Sequence, residues 1–112
     1  MEATEASGFR MPEAPIILDI HRVIYEAASQ PGALDMTDWH KCQNTHCRAG
    51  WAVTLAGDAG RELERFFGTN LAAMKIYDAS CAESGFKINP CRFFDDNEAA
   101  LEDMRKLAEV QS

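Results

Sequence analysis

Between Asn44 and Gly57 the chain runs Asn-Thr-His-Cys-Arg-Ala-Gly-Trp-Ala-Val-Thr-Leu-Ala-Gly and carries one charged residue, Arg48. Asn44 or Thr45 offers a short side-chain oxygen to the unpaired amides of a first helical turn. Gly57 supplies the left-handed residue with which helices commonly close. In helical register Ala49, Ala52, Val53 and Ala56 form one apolar stripe, and Cys47, Trp51 and Leu55 form a second. A helix apolar on nearly every side has to be buried, so other elements must pack around it. The Ala and Gly positions admit close neighbours, and Trp51 is expected to fill the centre of the core.

The rest of the chain supplies the elements that cover this helix. Residues 1–12 mix Glu, Ala, Ser, Gly and Pro without periodicity and read as a loose tail, leaving 13–112 as one domain. Pro15 suits a first helical turn, and Ile17, Ile20, Ile24 and Ala27 repeat at helical spacing until Pro31-Gly32. His21 lies off that stripe, between charged neighbours, and is expected at the surface. Ala33 to Gln43 reads as a folded loop that lays Trp39 over the end of the central helix. Asp58 to Phe67 reads as a short helix closed by Gly68, with Leu63, Phe66 and Phe67 inward. Thr69 or Asn70 then caps a helix whose inward set is Leu71, Ala72, Met74, Ile76 and Tyr77. Ser80 to Pro90 is turn-rich, and Cys91, Phe93 and Phe94 are expected to dip back into the core. Asp95 or Asp96 caps a last helix with the stripe Leu101, Met104, Leu107 and Ala108. The fold class expected is all-α: a small single-domain bundle of about five helices around the central apolar helix 44–57.

Composition bounds the function classes. A chain of 112 residues, 46% hydrophobic, can bury one modest core. Its net charge of −7 argues against direct binding to a phosphate backbone. No apolar run has the length needed to span a bilayer. The first residues lack the basic start and apolar centre of a secretory signal, so the expectation is a cytoplasmic protein whose four Cys are reduced thiols.

The His and Cys residues around positions 40–47 invite three chemical readings. His40, Cys42, His46 and Cys47 are all zinc-ligand types, and a small zinc-binding structural domain is one alternative. The paired Cys knuckle of convincing zinc sites is missing, and adjacent His46 and Cys47 point about 100° apart on a helix. A Cys-dependent enzyme is a second alternative, because Cys47 at a helix start would have its thiolate favoured by the aligned amides. Against it, Cys47 begins an apolar stripe, and no Gly-rich oxyanion or phosphate loop accompanies it. The third reading is a protein-interaction module with no catalytic residue and no cofactor. Its candidate contacts are the polar positions His40, Lys41, Gln43 and Arg48, expected exposed at the mouth of the central helix.

The segment Cys42-Gln43-Asn44-Thr45-His46-Cys47-Arg48-Ala49-Gly50-Trp51 also resembles a motif of small uncharacterised bacterial and phage proteins. There a Cys-Gly-Thr-Thr-His-Cys-x-Ala-Gly-Trp run opens an apolar helix; Gln43-Asn44 departs from the Gly-Thr form. The likeness extends over Leu55-Ala56-Gly57, Leu71 to Tyr77 and Pro90 to Phe94. It implies a compact helical domain of bacterial or prophage origin and no particular activity. The expectation carried forward is therefore a non-enzymatic accessory or interaction protein with an unidentified protein partner, no direct nucleic-acid binding and no membrane.

Overall fold

The computed structural model describes residues 12–82 and 88–111, so the expected tail lies almost wholly outside the described residues. Among them are five α-helices: α1 (Ile20–Ala28), α2 (Arg48–Leu55), α3 (Gly57–Phe67), α4 (Thr69–Ser80) and α5 (Asn97–Gln111). A 3-10 turn spans Pro90–Phe94, and a two-stranded antiparallel hairpin joins β1 (His40–Cys42) to β2 (Thr45–His46). No described helix is long and apolar enough to cross a membrane.

The all-α bundle is the fold observed, with α2 at its centre. Helix α2 packs against α4, α3 and α1, while α1 and α5 pack on each other. Ile20, Ile24, Leu63, Ala72, Ala73, Ile76 and Met104 meet Ala52 and Val53 in one buried cluster. Trp51 is 9% exposed, as a core residue should be, and its indole N–H donates to the Ala33 carbonyl at 2.7 Å. A ring of this size brings a large apolar payload and one polar atom that needs a partner when buried, and both demands are met.

The central helix is shorter than the sequence suggests. Neither Asn44 nor Thr45 caps it. Cys47 is the N-cap, its Sγ accepting from the Gly50 amide at 3.3 Å. The residues before it are drawn instead into the hairpin and its neighbouring loop. The His46 amide donates to the Ala33 carbonyl, the Asp35 amide to the His46 carbonyl, and the Thr45 hydroxyl to the Gly32 carbonyl at 2.7 Å. Backbone pairing across the loop satisfies more groups than one side-chain cap would, so the strand wins over an early helix start. At the other end Gly57 does adopt a positive φ of 72°, but it turns the chain directly into α3.

Close packing explains two of the small residues. A Cβ on Gly50 would fall 2.0 Å from the carbonyl oxygen of Trp39, and one on Gly60 would fall 2.3 Å from that of Val53. The first lets the loop backbone lie on α2; the second lets α3 lie against α2.

Several orientations differ from expectation. Helix α1 starts at Ile20 behind Asp19, which takes a left-handed φ of 56°, so Pro15 precedes the helix rather than opening it. His21 is buried, not exposed, with its Nε2 against the Cys81 sulfur at 3.3 Å. Phe66, Leu71 and Phe94 face solvent, although Phe93 enters the core. Asp96, rather than Asp95, caps α5 by accepting from the Ala99 amide at 2.8 Å.

Candidate functional site

The side chains singled out around 40–48 divide into a latch, a buried knot and a groove. The latch lies where the hairpin meets α3. His40 and His46 are cross-strand partners, and their Nδ1 atoms are 2.8 Å apart. His40 Nε2 reaches Glu64 Oε2 at 2.6 Å, and His46 Nε2 reaches the Gln43 carbonyl at 2.9 Å. Glu64 also accepts from the Thr69 hydroxyl at 2.7 Å.

Donor counting sets the protonation of this chain. A carbonyl and a carboxylate only accept, so both outer ring nitrogens carry N–H. The two Nδ1 atoms face each other at hydrogen-bond distance. Burial lowers the pKa of His46. Burial would raise the Glu64 carboxyl, but hydrogen bonds from Thr69 and His40 outweigh it and hold the group below its ordinary range.

All four ring nitrogens are thus committed within the protein. The position from which His40 would activate a nucleophile is occupied by His46, which makes the arrangement a latch between hairpin and helix. A cleft of about 400 Å³ beside it is lined by His40, Cys42, Gln43, Thr54, Arg61 and Glu64. Cys42 is exposed there, and hydrogen bonding with Thr45 and the Asn44 backbone draws its thiol below the ordinary value. The Thr45 hydroxyl proton itself is already given to Gly32. Cys47, by contrast, is buried at the start of α2, and burial pushes its thiol up, against the reactive role open to it from sequence. Among the described residues no group of three or more His, Cys, Asp or Glu side chains is arranged to hold a metal ion.

The buried knot is centred on Arg48, which was expected at the surface and is 0% exposed. Its Nε donates to the Tyr77 hydroxyl at 3.1 Å and its Nη1 to Asp103 Oδ2 at 2.8 Å. Arg48 thereby ties α2 to α4 and α5. Asp103 and Glu64 were missed from sequence. The available signal for Asp103 was the lone charge in an apolar helix, since a buried guanidinium requires a carboxylate from elsewhere.

The groove lies between the loop before the hairpin and the 3-10 turn. Met36, Thr37, Asp38, Trp39, Phe93 and Phe94 line a cleft of about 370 Å³. Trp39 is 44% exposed and Phe94 76% exposed. Trp39 thus differs from the expected lid: its backbone lies on α2 while its ring faces solvent. A second cleft shares Met36, Thr37 and Phe94 and continues to Asp35, Asp95, Asp96 and Glu98. Asn97 fixes the junction: its side-chain amide donates to the Leu34 carbonyl at 3.2 Å, and its oxygen accepts from the Met36 amide at 2.8 Å. Of the other interaction candidates, Lys41 is exposed and reaches Asp35 at 3.5 Å, while His40 and Gln43 line the cleft beside the latch.

No protein-family model matches the chain, and comparison with curated proteins and with solved structures returns no significant match.

Proposed function

We propose that this chain is a non-enzymatic protein-interaction module that docks a protein partner on the face carrying Trp39 and Phe94. The observation that supports this most directly is the groove itself. Two exposed aromatic rings stand at one place beside a partly buried methionine, held there by a hydrogen-bonded loop. Aromatic and Met side chains are the groups that dominate binding energy when a partner covers them. The latch works toward the same end, because it fastens the strand that follows Trp39 to α3. A role for the chain as an accessory protein of a bacterium or prophage, in the cytoplasm, remains part of this proposal and rests on the motif resemblance.

The test is a comparison of immobilised wild-type chain with a Trp39→Ser/Phe94→Ser variant in bacterial lysate. The proposal expects a small set of proteins retained by the first and absent from the second, while circular dichroism shows both equally helical. Identical retention by the two would place the docking surface elsewhere or remove it.

A further inference from the structure

We infer that the occupant of the Trp39–Phe94 groove is a cationic segment of a protein partner. One apolar side chain of that segment seats between the two rings, and flanking Lys or Arg residues meet the carboxylates at the rim. This rests on the reading of the same face as a docking surface and adds the chemistry of what docks there.

Charge carries the inference. Asp38 stands at the Trp39 end of the groove, and Asp35, Asp95, Asp96 and Glu98 stand at the other. Two cations answer these five carboxylates: Lys41 contacts Asp35 at 3.5 Å and Arg92 contacts Asp95 at 3.2 Å. One oxygen of Asp96 caps α5. Asp38 and Glu98 are exposed and carry no ion pair with any described residue. An apolar floor with an unbalanced acidic rim selects for an apolar anchor between basic neighbours, because like-charged partners are repelled before they touch.

The same accounting disfavours other occupants. A second copy of this chain would bring its own net charge of −7 against the acidic rim. A nucleic acid would bring phosphates.

Three labelled peptides of equal length separate the outcomes: basic residues around a central Leu, acidic residues around the same Leu, and basic residues around a central Ser. Fluorescence anisotropy should show the basic Leu peptide binding at least about tenfold more tightly than either of the others, and weakening as salt is raised. Asp38→Lys/Glu98→Lys should reverse the order of the basic and acidic Leu peptides. Phe94→Ser should remove the advantage of Leu over Ser. If the basic and acidic Leu peptides bind equally and both depend on Phe94, the inference about charge is overturned while the docking surface stands. If no peptide binds, or if binding ignores Trp39 and Phe94, the docking surface falls as well.

Discussion

Two regions around the start of α2 place their chemistry on opposite sides. In the knot a guanidinium, a phenol and a carboxylate lie inside, with Arg48 fully out of water. In the groove two aromatic rings lie outside over a partly buried methionine, and the charged groups stand around them. Each arrangement is costly alone. A buried charge loses its hydration and recovers it only through good partners, and an exposed ring leaves apolar area in contact with water. The difference lies in where the compensation comes from. The knot is compensated within the fold through Arg48 Nε and Nη1, with Nη2 alone left without a hydrogen-bond partner among the described residues, so disturbing it should cost stability. The groove has no such compensation among the described residues, so altering it should leave stability unchanged and affect only what the chain binds.

The sharpest way to break this contrast is Arg48→Ala, expected to cost about 3–5 kcal/mol because it empties a buried site and leaves Asp103 with only the longer contact to Arg92. Urea denaturation measures it. The pair Arg48→Met/Asp103→Leu should recover most of the loss, since apolar groups of similar volume often replace a buried ion pair without penalty. A small effect of Arg48→Ala would mean that the guanidinium is not held inside at all.

Gly50→Ala comes next. The added methyl meets the Trp39 carbonyl oxygen at 2.0 Å, so the loop backbone has to move, at about 1–3 kcal/mol or more. This variant joins the two regions, because the same shift carries Trp39 away from Phe94. It should weaken partner binding as well as lower the denaturation midpoint. Loss of binding with an unchanged midpoint would separate the loop from the core.

The latch should respond to acid. The folded pKa of His46 lies below its ordinary value, so the unfolded chain binds the extra proton more readily. Stability from this group is complete above about pH 6.5 and is lost as pH falls through the depressed folded value. Glu64, also depressed, adds a second loss that begins below about pH 4.5. His46→Gln, whose amide can still donate to the Gln43 carbonyl, should cost about 1 kcal/mol at neutral pH and remove the upper part of the acid loss. Denaturation midpoints over a pH series would show it, and an unchanged slope between about pH 6.5 and 5 would remove His46 from the latch.

Phe94→Ser should produce the smallest change in stability, within about 0.5 kcal/mol, because the ring is 76% exposed. Differential scanning fluorimetry tests this, and a large drop would show that the ring belongs to the core.

Helical periodicity made the bundle legible. Of the expected stripes, Ile20 and Ile24, Leu63, and Met104 and Ala108 are buried. Trp51 was legible for the same reason: an apolar residue in an apolar helix has one place to go. The start of α2 was not. Asn44 and Thr45 have capping side chains, but the Thr45 hydroxyl is taken by the Gly32 carbonyl and the backbone of the next residue, His46, by Ala33 and Asp35, which lie behind a loop in sequence. His40 and Glu64 meet across the hairpin and α3, a pairing that local spacing does not encode. Phe94 shows the complementary limit. Its neighbour Phe93 is buried, and the 3-10 turn that points the two rings apart carries no hydrophobic periodicity long enough to read.

The packing of α1 on α5 has a consequence during synthesis. The first and last described helices are neighbours, and the carboxylate that neutralises Arg48 is carried by α5. A ribosome releases α1, the hairpin, α2, α3 and α4 before α5, so the emerging chain holds an unpaired guanidinium and a half-covered α1 until its final segment is free. Closing so long a loop is entropically slow, and until it closes the exposed apolar face is a target for chaperones or for self-association. Stalling translation before Asp103 should therefore leave a nascent chain sensitive to protease, and extending it past Gln111 should make it resistant in a single step.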